Sequence, residues 1–320
     1  MKEEYGGYLP FEGHIEKDFF SVYGEENIIR TNSGKAAIYY ALKMMDIHSI
    51  HVPYYFCGSV FKMIQNTGIS IKRYYLDEHL CPVLDNIGED EGIILVNYFG
   101  CMNKRIKEIL GRYKNVIIDQ THSFFSAPVF REDIFNVYSC RKFFGVPDGG
   151  FLVGMNLKDI QLKQCKISDH FLYLVKSFEY GTNSSYQEKL QSDSFFMDNY
   201  CAMSDLTRTM LSSIDYQYTA DKRKKNFEAL HKKLSKYNLF KLEEPEDPLY
   251  LYPFLPSGNI KRALIDRKIY VPAIWRELIC QDFYGTIEYE MSEKGVFLPV
   301  DQRYDIEDME YIADIVIGLL

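Results

Sequence analysis

Tryptophan is nearly missing from this 320-residue sequence: Trp275 stands alone against 26 tyrosines and 22 phenylalanines. Cysteine spacing is equally uninformative in a useful way. The seven cysteines, at 57, 81, 101, 140, 165, 201 and 280, are odd in number and contain no C-x-x-C pair. That pattern argues against a disulfide framework and against a zinc site, and predicts free thiols in a reducing compartment and no metal. No run approaches the roughly 18 uninterrupted apolar residues a membrane-spanning helix needs. The opening ten residues are polar and acidic, unlike a secretory leader. These features predict a soluble cytoplasmic protein. A basic excess is missing too. Lys plus Arg is 37 against 45 for Asp plus Glu, a net charge of −8, which disfavours a protein that coats nucleic acid. A small anion would have to be held by a local cradle. Repeats and low-complexity tracts are absent, and apolar residues at 47% exclude disorder, collagen and coiled coil.

What remains is a long alternation of strands and helices. The length suits about two domains. Residues 1–30 read as an acidic, glycine-containing arm with one short helix. Helices are expected at 34–45, 58–66 and 104–113, and strands at 49–53, 69–76, 92–99, 115–119, 135–139 and 151–154. Continuous apolar strands separated by helices of about ten residues mean βαβ units and a mostly parallel sheet. Residues 159–211 read as mostly helical. A long helix over 220–237 carries Lys222, Arg223, Lys224, Lys225, Lys232, Lys233 and Lys236, expected as a solvated basic face. Beyond it, strands near 250–255, 268–271 and 295–299 and a helix over 305–319, capped by Asp305, suggest a small α+β domain. The expected division is an arm at 1–30, a large α/β domain at 31–215 and a small domain at 216–320.

Four local features carry chemistry when taken together. Thr31-Asn32-Ser33-Gly34-Lys35 opens a helix whose first N–H groups are unpaired, a seat for phosphate that is not a P-loop. In 115–124 (NVIIDQTHSF), Asp119 ends a buried strand, where a carboxylate is costly unless it is used, and His122 follows three residues later. In 137–150 (VYSCRKFFGVPDGG), Lys142 precedes a turn rich in Gly, Pro and Asp, and Phe143 and Phe144 could desolvate its amine and make it a nucleophile. Pro53-Tyr54-Tyr55 lies just past a strand end, where an aromatic ring could stack on a flat cofactor. A phosphate cradle, a strand-end Asp, a nearby His and a loop Lys suit pyridoxal phosphate, which needs a lysine for its aldehyde and an acid for its ring nitrogen.

These segments resemble the DegT/DnrJ/EryC1/StrS family of pyridoxal-phosphate sugar aminotransferases, in order along nearly the whole chain. NSGKAAIYYAL is similar to the family's S-G-T-x-A-L, LVNYFG to V-H-x-x-G, VIIDQTHSFF to [IV]-E-D-A-A-[HQ]-[AS], and CRKFFGVPDGG to T-K-x-[LF]-x-x-G-[DE]-G-G. MSDLTRTML and LPVDQRYDIEDMEYI resemble its later segments. The resemblance implies the type I pyridoxal-phosphate transferase fold, a large mostly parallel α/β domain with a small C-terminal α+β domain. It implies an aminotransferase that moves an amino group from an amino acid, glutamate being expected, to a nucleotide-linked keto-sugar. It also implies a homodimer with active sites shared between subunits, acting on neither nucleic acid nor membrane. Lys142 would form the internal aldimine and shuttle the proton. Asp119 would pair with the pyridine nitrogen, His122 would lie near the ring oxygen, and Tyr55 would stack. Gly34 and Lys35 would bring N–H groups to the phosphate. The family's phosphate-binding Ser, five residues before the lysine, is here Val137, which leaves Ser139 or Arg141 to take its place. Lys142 argues against the family's dehydratase branch, which has His there. The alternatives are a lyase or elimination reaction on the same scaffold, or a non-catalytic protein that keeps the fold.

Overall fold

The computed structural model describes residues 11–157, 160–242 and 245–320. Expectations for residues 1–10 and for Asp159 lie outside the described residues. Ten strands and ten α-helices follow one another as β1 (Ile28–Thr31), α1 (Gly34–Met44), β2 (Ser49–Pro53), α2 (Gly58–Gln65), β3 (Ser70–Leu76), β4 (Pro82–Val83), β5 (Glu91–Val96), α3 (Asn103–Ile109), β6 (Val116–Asp119), β7 (Ile134–Ser139), β8 (Gly150–Gly154), α4 (Leu172–Tyr180), α5 (Tyr186–Phe195), α6 (Asp205–Ser212), α7 (Tyr216–Leu234), β9 (Leu251–Phe254), α8 (Lys261–Asp266), α9 (Ile287–Glu293), β10 (Val296–Pro299) and α10 (Ile306–Ile317).

Eight strands form one sheet in the order β1-β8-β7-β6-β5-β2-β3-β4. Its centre is parallel, through β3-β2-β5-β6-β7, as the continuous apolar runs require. The edge strands β1, β8 and β4 pair antiparallel. The chain leaves β2 in one direction to β3 and returns to the other side at β5. The strand order therefore reverses between β2 and β5, and the carboxyl ends there open onto a crevice suited to a ligand.

Helix α1 lies close on β7 and β8 because it offers them Ala36, Ala37 and Ala41, all fully buried. A second sheet of β9 and β10 packs with α7 and α10 around Phe227, Leu230, Phe254, Leu298 and Met309. Asp305 caps α10 with its side chain, and Asp308 returns the bond to the Asp305 N–H. A third cluster is rich in aromatic side chains: Phe20, Phe124, Tyr138, Phe143, Phe144 and Phe151 pack with Cys140, Leu211 and aliphatic neighbours such as Val146 and Val153.

Several expectations need correction. The strand expected over 92–99 ends at Val96, since Phe99 takes a left-handed backbone (φ 59°) and its carbonyl accepts from Tyr250 N–H. Residues 268–271 form no strand. Lys268, at φ 62°, ends α8, and Ile269 N–H bonds back to Leu264. Residues 18–30 of the expected arm are packed on the domain, with Phe20 fully buried and Arg30 paired with Asp18 and Glu25 at 2.5 and 2.6 Å. Arg223 does not belong to a solvated face: it is 2% exposed. Seven free thiols were expected, yet Cys165 and Cys201 form a disulfide across 36 residues. It joins the chain before α4 to the segment that bridges to Thr31. Among the described residues, no helix is long and apolar enough to cross a membrane, and no cluster of His, Cys, Asp and Glu could hold a metal.

Candidate active site

Strand ends assemble the site. Phe56 and Cys57 follow β2, Val96 ends β5, Asp119 ends β6, Ser139 ends β7, and Ser33-Gly34-Lys35 opens α1. All of them line one cavity of about 470 Å³, with Thr121, His122, Arg141, Lys142, Lys189, Asp193, Tyr250 and Trp275. Six of the seven residues expected at the site therefore meet in space: Lys142, Asp119, His122, Gly34, Lys35 and Ser139.

The start of α1 is held on every side. Ser33 caps the helix by accepting from Ala36 N–H at 3.1 Å, and Thr31 Oγ1 donates to the Ser33 carbonyl at 2.9 Å. Asn32 N–H bonds to the Cys201 carbonyl and Asn32 Nδ2 to the Asn199 carbonyl. Lys35 Nζ donates to the Met197 carbonyl, so its ammonium is fixed at the rim. Burial lowers its pKa. Gly34 must be glycine on steric grounds, since a Cβ there would meet Thr121 Cγ2 at 2.6 Å. Gly150 in β8 is under the same constraint, because a Cβ would fall 2.7 Å from Gly34 N. We expect Gly34→Ala to cost about 1–3 kcal/mol by forcing α1 off β6 and β7. Thermal unfolding measures this, and an unchanged midpoint would contradict the close packing.

Asp119 is buried, with one carboxylate oxygen accepting from Thr121 N–H at 2.9 Å. Burial raises its pKa, while the Lys142 ammonium and Thr121 oppose the rise. Lys142 Nζ donates to Thr121 Oγ1 at 3.2 Å and lies 5.7 Å from the centre of the Tyr250 ring. Burial lowers the pKa of this amine, with Asp119 and Cys57 pulling the other way. His122 is buried, and burial followed by the nearby Lys142 charge holds it well below the usual histidine range. It is therefore neutral, and Nδ1 is placed to accept from Phe99 N–H at 3.4 Å. A buried acid and a buried amine with pKa values pushed towards each other are the arrangement expected where a proton is to be moved.

Phe143 and Phe144 anchor the loop in the aromatic cluster, while Nζ of Lys142 lies by Thr121 and Tyr250. The loop is also tied at Asp148, which accepts from Ser204 N–H, Ser204 Oγ and Thr207 Oγ1 at the start of α6. Val137 is fully buried in β7, two positions before Ser139, which lines the cavity.

Tyr55 is the one expected site residue that does not line the cavity. It is fully buried, with its ring edge-on to Trp275 at 4.3 Å. The aromatic rings on the cavity, besides the His122 imidazole, are Phe56, Phe196, Tyr250 and Trp275. Trp275 sits in a left-handed turn (φ 47°), with its plane 12° from that of His122 at 6.2 Å. Phe56 was one position from the residue chosen. Tyr250, Trp275, Lys189 and Asp193 arrive from 50 to 150 residues away, and no local pattern marks them.

No protein-family profile matches the chain, and no curated protein matches it in sequence. Solved structures do match in fold. A DegT DnrJ EryC1 StrS aminotransferase from Brucella abortus gives a TM-score of 0.62 at 12% identity, over 93% of this chain and 87% of that one. The sugar aminotransferase CalS13 from Micromonospora echinospora gives 0.61 at 13% identity, over 93% and 90%. GDP-4-keto-6-deoxymannose-3-dehydratase (ColD) with bound GDP-perosamine gives 0.62 at 16% identity, over 93% and 90%. The α/β fold of this chain is the one its sequence resemblance implied.

Proposed function

We propose that the chain is a pyridoxal-phosphate aminotransferase that moves an amino group from an amino acid, glutamate, to a nucleotide-linked keto-sugar. The observation that carries this reading is the placing of the Lys142 amine and the Asp119 carboxylate in one cavity that also receives the first turn of α1. The proposal takes residues 31–215 as the cofactor-binding domain and 216–320 as the small domain, in a homodimer.

The residues present fit the cofactor. The α1 start, kept open by Gly34, would take the phosphate, with Lys35 and the Ser139 hydroxyl beside it. The buried Asp119, kept ionised with help from the Lys142 charge and the Thr121 N–H, would hold a proton on a ring nitrogen facing it. His122, neutral, would lie by the ring oxygen. Pyridoxal phosphate, when bound, supplies an aldehyde for an amine and a ring that draws electrons from a carbon losing its proton. Lys142, with its pKa lowered, gives up its own proton readily and can then take one from the substrate carbon and return it. Tyr250 and Trp275 narrow the cavity and limit water around that amine. A dehydratase shares the fold. Lys142, where that branch of the resembled family has His, favours amino transfer.

The test is a half-reaction. Protein loaded with pyridoxal phosphate and given glutamate alone should lose its visible absorbance in favour of the near-ultraviolet band of the amine form. Protein that binds the cofactor yet leaves the spectrum unchanged with every amino acid would overturn the transfer reaction.

A further inference from the structure

The cavity is positive in a negative protein. Its wall carries Lys35, Arg141, Lys142 and Lys189 against Asp119 and Asp193. Lys35 and Lys142 have places in the reading above, whereas Arg141 was expected only as one stand-in for the phosphate-binding Ser and Lys189 has no place. Arg141 stands where the resembled segment has a small Thr, and its neighbour in sequence is Lys142.

Arg141 is built into the wall. Its guanidinium lies 4.7 Å from the centre of the Phe196 ring and beside the Tyr173 hydroxyl. One terminal nitrogen pairs with Asp193 Oδ1, while Lys189 Nζ takes the other carboxylate oxygen, Oδ2, at 2.5 Å. One carboxylate is therefore shared between two cations. Arg141 Nε is buried and has no hydrogen-bond partner among the described residues. A buried N–H left unpaired is costly, and an arginine fork pairs best with an oxyanion that takes two of its N–H groups. The side chain of Asp193 is 45% exposed, so releasing it to solvent costs little. Burial and the Arg141 charge both lower the pKa of Lys189, as expected of cations crowded together with too few anions.

We propose that Arg141 and Lys189 form an oxyanion seat in which a phosphate or carboxylate of the bound ligand takes the place of Asp193. This rests on the reading above only for the identity of the ligand. The oxyanion is then either the cofactor phosphate or the carboxylate of the amino donor.

The test compares wild type, Arg141→Gln and Lys189→Gln. Pyridoxal phosphate and pyridoxal are titrated into the cofactor-free protein by absorbance, and glutamate is titrated into the loaded protein. If the phosphate is seated there, both variants bind pyridoxal phosphate at least about tenfold more weakly and bind pyridoxal as before. If the carboxylate is seated there, pyridoxal phosphate binds as in wild type. The glutamate concentration for half-maximal rate then rises at least about tenfold, with the limiting rate kept. Asp193→Asn removes the competitor and should tighten whichever ligand is affected. Variants that match wild type in all titrations overturn the seat. Wild type that captures neither pyridoxal compound overturns the cofactor reading instead. Inorganic phosphate titrated calorimetrically into wild type and Arg141→Gln then decides the seat, and equal affinities overturn it.

Discussion

Lys142→Ala should reduce turnover by at least about 10⁴-fold, because in the proposed reaction one side chain would supply both the covalent hold and the proton transfer. Borohydride treatment of cofactor-loaded wild type should leave a phosphopyridoxyl group on Lys142 in a peptide map, and the variant should show none. A variant that keeps more than about 1% of wild-type turnover would move the chemistry to another amine. The same residue has a pH signature. The amine must lose its proton before it can attack an aldehyde. Burial lowers its pKa from the ordinary lysine value, and Asp119 opposes that fall. The rate of covalent capture should thus rise with pH and level off earlier than for an exposed lysine. In Asp119→Asn the opposing charge is gone, so the levelling should come at still lower pH. A shift towards higher pH would contradict the pairing of the two groups.

Arg223→Met should lower the unfolding free energy by about 3–5 kcal/mol, measured by denaturant titration. Arg223 donates to the carbonyls of Leu249, Tyr250 and Phe143 and to Gln302 Oε1, at 3.0 to 3.2 Å. Burial pulls its own pKa down to about 10, against the pull of Asp301. A methionine fills much of the space yet removes the Arg223 donors from the carbonyls of Leu249 and Tyr250 and leaves that of Phe143 with Gln302 Nε2 alone. Phe143 and Tyr250 flank Lys142, so the variant that remains folded should also capture the cofactor more slowly. Lys224→Met and Lys225→Met, on the same helix but exposed, should stay within about 0.5 kcal/mol of wild type. Equal effects at all three positions would show that Arg223 acts only through helix charge.

Arg223 also shows where sequence reading stops. A run of cations on a helix gives no local sign of which one turns inward. That is decided by β9 and the Lys142 loop, each far along the chain. Asp119 and Lys142 were legible for the opposite reason. Asp119 ends a buried apolar strand and Lys142 follows one by three residues, each next to a polar or glycine-containing turn, and parallel sheets put such ends at the ligand crevice. The start of α1 could be read only together with Asp119, His122 and Lys142, because a serine cap before a helix is common by itself. Tyr55 was expected at the cavity and Phe56 lines it instead, because the direction of a side chain within a turn depends on dihedral angles that sequence does not fix. Ser139 was favoured alongside Arg141 without a way to rank them, and the structure brings both to the cavity. The pairing of Cys165 with Cys201 escaped notice because no spacing rule links thiols 36 residues apart. β8 reads as an ordinary strand, whereas β1 falls where an arm was expected, and the antiparallel sense of both is set by how the chain returns, which apolar content does not record.

Trp275 turns the scarcity of tryptophan into an instrument. The chain has one indole, and it lies on the roof of the cavity, parallel to His122 and edge-on to Tyr55 and Tyr98. Ultraviolet-excited emission beyond the tyrosine range therefore comes from this single position. Whatever enters, leaves or changes its absorbance beneath that ring is reported by the intact, unlabelled protein, in real time and without a second emitter to subtract.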